Sequence, residues 1–153
     1  MEEATRTSWL LCRAGVVLCG LPIEQVIEVM RLLPVEQIAG APNYVHGLSV
    51  IRGKPVPVVD LSLIIGNRIS HSTRLIAVRV ATRTIALAVD EVIGISGIAA
   101  DALGQLPPLL RDAATDTIAA IGALDSELIV FLRAARLVPE EVLAQFDADG
   151  ATS

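Results

Sequence analysis

Histidine and cysteine are scarce in this chain of 153 residues, two of each, and basic residues do not cluster. Those shortages remove several function classes. Two cysteines, Cys12 and Cys19, with no histidine beside them do not make a zinc site. With only His46 and His71 available, a nucleophile, base and orienting group are hard to assemble, and neither histidine carries a local catalytic signature. The net charge is −5 and the arginines are scattered singly, which argues against nucleic acid as a partner. No stretch approaches the ~20 uninterrupted apolar residues of a membrane span, because Glu24, Arg52, Asp60, Arg79, Asp90 and Asp125 interrupt the apolar runs. Met1 to Ser8 hold two glutamates and no apolar core, so no secretory signal is expected, and the cytoplasm is the expected compartment.

What is present is apolar side chain. The composition is 53% hydrophobic and 19% charged, which excludes intrinsic disorder. A domain of this length buries roughly 68–70% of its unfolded surface, enough for a core without disulfides or metal.

The hydrophobic spacing favours strands. Short β-branched runs bounded by turn residues include Val56 to Val59, Leu75 to Val78 and Leu128 to Leu132. Gly15-Val16 reads as a hairpin turn that sets Cys12 opposite Cys19, where a cross-strand disulfide is geometrically conceivable. In a reducing cytosol the expectation is two small buried apolar side chains. Ile23, Val26, Ile27 and Met30 suggest a brief helical turn running into a strand. The clearest helix is expected over 139–147, with Glu140 and Glu141 in its first turn and Val142, Leu143 and Phe146 as its apolar face. The connection from Ala99 to Ile118, centred on Pro107-Pro108, is too long for a hairpin loop and is expected to cross the surface between strands.

Internal similarity organises the rest. Leu21 to Val29 (LPIEQVIEV) lies over Leu87 to Ile95 (LAVDEVIGI). A looser match sets Val45-His46-Gly47 and a turn at Arg52-Gly53 over Ala120-Ile121-Gly122 and a turn at Asp125-Ser126. The chain therefore reads as one domain, 1–153, of two related β-subdomains, approximately 8–70 and 73–137 with strands exchanged between halves. Subdomains of this size are marginal alone, so they should pack together and leave a groove for a ligand or partner helix.

Chemistry is thin. Asp60 and Asp90 each follow a β-branched strand, and their repeat-like placement fits turn capping better than acid/base work. His71 sits in a polar loop, and Gly47 to Gly53 precedes Lys54-Pro55, a hairpin turn rather than a phosphate loop. The residues indicate a non-enzymatic interaction module, with no catalytic residue, metal or cofactor.

Several segments in order carry a resemblance: Gly47-Leu-Ser-Val-Ile-Arg52-Gly53, Pro57-Val-Val-Asp60-Leu61, Val89-Asp90-Glu91-Val92, and Gly122-Ala-Leu-Asp125 before an apolar strand. From about Trp9 to Phe146 the chain resembles the CheW family of chemotaxis adaptors. The resemblance implies an all-β fold of two packed SH3-like five-stranded β-barrels and a short C-terminal helix. It also implies a cytoplasmic scaffold, sited at membrane-associated receptor arrays without inserting into the membrane. Such a scaffold couples the cytoplasmic helical hairpin of methyl-accepting chemoreceptors to the regulatory domain of a CheA-type histidine kinase. The receptor tip would lie in the inter-barrel groove and the kinase would dock at barrel ends.

Residue by residue, the resemblance assigns partner contacts to Val26 and Glu28, to the turn glycine Gly47, to Arg52, and to the apolar Val92 and Ile95. Two departures stand out: Val50 replaces the asparagine that precedes Leu-Arg-Gly in the family, and Arg133 stands where relatives carry an acidic or polar residue. Short termini favour a bare adaptor over a fusion. One alternative is an adaptor of the same fold serving twitching motility or surface sensing. Another, from a different class, is a small enzyme using Asp60, Asp90 or His46.

Overall fold

A computed structural model describes residues 6–66, 71–99, 118–124 and 127–151. Among the described residues ten strands are formed: β1 Arg6–Ala14, β2 Val17–Pro22, β3 Val26–Arg31, β4 Val45–Ile51, β5 Lys54–Asp60, β6 Arg74–Val80, β7 Arg83–Val89, β8 Glu91–Ala99, β9 Ile118–Leu124 and β10 Glu127–Leu132. A four-residue helix, α1 (Leu61–Ile64), follows β5, and α2 (Glu140–Ala151) follows β10. The α2 helix starts one residue after the expected Pro139 and runs past residue 147, with Val142, Leu143 and Phe146 packed on the core. The helical turn expected over residues 23–30 is confined to a 3-10 turn, Ile23–Gln25. From Val26 the chain is extended, because β3 takes its hydrogen bonds from β6. The Pro107-Pro108 connection lies outside the described residues.

The strands form two five-stranded sheets. A central sheet, ordered β3-β6-β7-β5-β4, is drawn from residues 26–89; a terminal sheet, ordered β8-β1-β2-β10-β9, is drawn from both flanks. Replacing β1 to β5 by β6 to β10 turns one order into the other. The duplication is therefore real, and the hairpins are exchanged: β1-β2 lies among the strands of the second half, and β6-β7 among those of the first. Each sheet therefore draws strands from both halves of the sequence.

Register fixes the repeat residue by residue. Leu10↔Ile95 matches Ile76↔Val29, and Cys12↔Val92 matches Val78↔Val26. Gly20 opposite Phe131 matches Ala86 opposite Val58. The looser sequence match needs correcting. Gly47 pairs with Val58 and Ala120 with Phe131 beside equivalent bulges, so Gly47 corresponds to Ala120, two residues before Gly122.

Hairpin exchange explains why the strands are so apolar. In β7, Ile85, Leu87 and Val89 face a core shared by both sheets, while Ala86 and Ala88 face the interior of the central sheet. In β1, Leu10, Cys12 and Ala14 face the shared core, and Trp9 and Leu11 face the interior of the terminal sheet. The exchanged strands are covered on both faces, so they lose the apolar/polar alternation of a one-sided antiparallel strand. Leu132, Leu137, Val138 and Leu143 close the shared core from the C-terminal side.

Candidate partner-docking surface

Both sheets end in a bulged edge strand. Pairing of β3 with β6 slips between Val26 and Glu28, and pairing of β1 with β8 passes from Gly94 to Val92. The skipped residues are Ile27 and Ile93, equivalent positions in the repeat, and both are exposed. A bulge re-aims a side chain and twists the strand; here it turns an isoleucine outward on each edge. Val29 and Ile95, two residues on and also equivalent, are exposed too, Ile95 by 66%. Each edge thus presents a pair of aliphatic side chains to solvent, an arrangement found at protein interaction sites.

The resemblance-assigned residues fall into different environments. Ile95 lies on the exposed face of β8. Val26 and Val92 are partly buried and pack against the shared core beside the bulges. Gly47 is a strand residue in β4, not a turn residue, with φ +141°, and a Cβ there would overlap the Glu36 carbonyl. Leu48 N donates to that carbonyl at 2.9 Å. Gly47 is thus required by close backbone approach and offers no surface of its own.

Glu28 and Arg52 meet each other. Arg52 is 77% exposed and donates from Nε and Nη2 to Glu28 at 2.7 and 3.0 Å. It sits at φ +52° in the two-residue β4-β5 turn, followed by Gly53 at +79°, the geometry that favours this tight hairpin. The pair ties the tip of β4-β5 to β3, bridging opposite edges of the central sheet. Hydrogen bonding to Arg52 holds the Glu28 carboxyl below its ordinary range.

Asp60, Asp90 and His46 have structural duties. Asp60 is fully buried; its Oδ1 accepts the Leu63 N–H that caps α1, and a 2.9 Å hydrogen bond joins its Oδ2 to His46 Nε2. Asp90 Oδ1 accepts the Gly15 N–H in the β1-β2 turn. The two aspartates are not repeat equivalents: register sets Asp60 against Arg133, and Asp90 against Glu24. His71 is exposed.

Three further features were not anticipated from sequence. A concavity of about 470 Å³ is lined by Val35, Ile38, Pro42, Asn43 and His46 among others. A second of about 680 Å³ lies between Leu33 to Gln37 and β4, with Val50 on its wall. On the terminal sheet, Val16 at the β1-β2 turn and Leu128 at the start of β10 are 83% and 66% exposed, and the Leu18↔Ile129 register puts them at the same end. Beside them Arg13 pairs with Glu127 and, at 3.9 Å, with Glu91.

The CheW-like domain family matches residues 8–142. This chain belongs to that family. It is 24% identical to the chemotaxis protein CheW of Klebsiella aerogenes, over 95% of this chain and 89% of that one. It is 32% identical to the protein FrzA of Myxococcus xanthus, over 68% of this chain and 66% of that one. To the protein PilI of Pseudomonas aeruginosa it is 32% identical, over 58% and 52%. Its fold matches the scaffolding protein TtCheW of Thermoanaerobacter tengcongensis at TM-score 0.78 and 24% identity, covering 87% of this chain and 92% of that one. As a CheW-family protein it is a non-enzymatic adaptor of chemotaxis-type signal transduction. Asp60, buried, caps α1, and the partly buried Asp90 accepts the Gly15 N–H, structural roles that agree with that assignment. Among the described residues, no helix is long and apolar enough to cross a membrane.

Proposed function

We propose that this adaptor joins the cytoplasmic helical hairpin of a chemoreceptor to the regulatory domain of a CheA-type histidine kinase, in the cytoplasm at receptor arrays. The observation that carries the reading is the matched pair of bulged edges, which turn Ile27 and Val29 outward on one sheet and Ile93 and Ile95 on the other. An antiparallel helix pair offers two similar apolar ridges, and the duplicated fold offers two similar apolar edges to receive them. The Arg52–Glu28 pair forms a polar rim near the β3 edge. Gly47, Val26 and Val92 act indirectly, by fixing the strands that carry the contacts. The kinase domain docks at the terminal-sheet end, where Val16 and Leu128 are ringed by Arg13, Glu91 and Glu127, a small apolar centre with a charged border.

Titration of a receptor cytoplasmic fragment into wild type, Ile95→Asp and Ile93→Asp tests the assignment. The edge variants should keep the wild-type unfolding temperature and lose about tenfold or more in affinity. Unchanged affinity in both would remove β8 from the interface. The FrzA and PilI matches favour a second reading, the same adaptor mechanism serving a different receptor pathway. Which receptor fragment binds separates the two.

A further inference from the structure

Cys12 on β1 and Cys19 on β2 are directly opposite in register, wholly buried and free. Opposed Cα atoms of an antiparallel pair lie about 4.5–5.5 Å apart, within the ~4.4–6.8 Å that a disulfide spans. The Cys12 thiol is within hydrogen-bonding reach of Cys19, and that contact, reinforced by burial, pushes its pKa well above the ordinary thiol value. Cys19 in turn donates weakly to the Val17 carbonyl at 3.7 Å. In the other half of the repeat the equivalent positions are Val78 and Ile85, also opposite each other and in the same shared core. The frame therefore accepts an aliphatic pair where this half carries two sulfurs. The β1–β8 register slips beside Cys12, with the extra residue on β8, so the ladder on that side of β1 is locally interrupted.

We propose that Cys12 and Cys19 are a redox-responsive dithiol, closed by a small peroxide to a disulfide within the β1-β2 hairpin. One thiol, deprotonated as the hairpin opens, takes oxygen from hydrogen peroxide to become a sulfenic acid, releasing one water. The other sulfur attacks it, forms the S–S bond and releases a second water. Two thiols and one peroxide thus give one disulfide and two waters. The contact with Cys19 and burial keep the Cys12 thiol protonated in the closed hairpin, so opening sets the rate. Closure ties β1 to β2 beside β8, the strand that carries Ile93 and Ile95.

The test exposes the full chain to hydrogen peroxide in native buffer, followed by intact mass and thiol titration after denaturation. The expected product is monomeric, lighter by two hydrogens, without titratable thiol and restored by reductant. Its unfolding temperature should rise by roughly 5 °C. Cys12→Val, which copies Val78, should fold and give no loss of two hydrogens; Cys19→Ile, which copies Ile85, serves the same purpose if that variant does not fold. Thiols that stay free in native buffer while the denatured chain closes, oxygen adducts on a single sulfur, or dimers linked between chains would each overturn the proposal.

Discussion

The two sheets share a strand order, a bulge position and a common core, yet they fill their own interiors differently. The central sheet uses aliphatic side chains, Ile51, Val56, Val58 and Leu75, over Ala86 and Ala88. The terminal sheet uses Trp9 and Phe131, packed edge to face with ring centroids 4.6 Å apart, over Gly20. At the matched register position Val58 faces Ala86, whereas Phe131 faces Gly20. Volume has moved from one strand to its neighbour while the backbone frame stayed the same. Cores tolerate such exchanges when total volume is conserved.

Phe131→Ala should open the terminal interior and cost about 3–5 kcal/mol, the largest effect, read by urea denaturation. Gly20→Ala should also destabilise, because its Cβ would sit 2.9 Å from Phe131 Cδ1. Adding Phe131→Val recreates the Ala86–Val58 arrangement, so the double variant should recover part of the loss. A coupling of about 0.5–3 kcal/mol would identify the positions as true equivalents, and simple additivity would break the comparison. In the shared core, Leu87→Ala should cost about 2–5 kcal/mol, against a change within about 0.5 kcal/mol for the exposed Leu128→Ala.

The β5 and β10 ends sharpen the contrast further. Asp60→Ala removes the α1 cap and the partner of His46, and should cost about 1–3 kcal/mol. Arg133, its repeat equivalent, is exposed and makes no side-chain cap to the following turn, so Arg133→Ala should leave stability nearly unchanged in the same denaturation assay.

The smallest effect concerns pH. Folding lowers the pKa of Glu28 through Arg52, so the folded chain holds fewer protons at this site than the unfolded chain across the acidic range. The stability this adds is complete above the ordinary carboxylate value and is lost as pH falls through the lowered, folded value. The difference in unfolding temperature between wild type and Glu28→Gln should shrink on acidification from about pH 6 to about pH 3. Added salt should flatten it, since the pair is solvated.

The repeat was legible in Leu21 to Val29 over Leu87 to Ile95, where Leu21 and Leu87 lie in the shared core and Val26 and Val92 pack against it. It misaligned at Gly47 because that glycine answers to the Glu36 carbonyl, a local contact with no bearing on the copy. Hairpin exchange leaves little trace in a pattern of apolar strands, since either pairing buries the same residues. The family resemblance names Ile95, whereas the exposure of Ile27 and Ile93 is not legible in the sequence. Their exposure depends on a one-residue bulge, and nothing in the spacing of β3 or β8 announces it. The Arg52–Glu28 pair was likewise hidden, although both residues had been singled out separately, because it joins strands that are not neighbours.

Simultaneous binding is the most direct test of the adaptor. Sedimentation velocity of the chain with a kinase regulatory domain, in the presence of a saturating receptor cytoplasmic fragment, should show a single ternary species, with Leu128→Asp losing only the kinase domain and Ile95→Asp only the receptor. Mutually exclusive binding, or loss of both partners from either variant while the fold is intact, would contradict two separate docking faces on one duplicated frame.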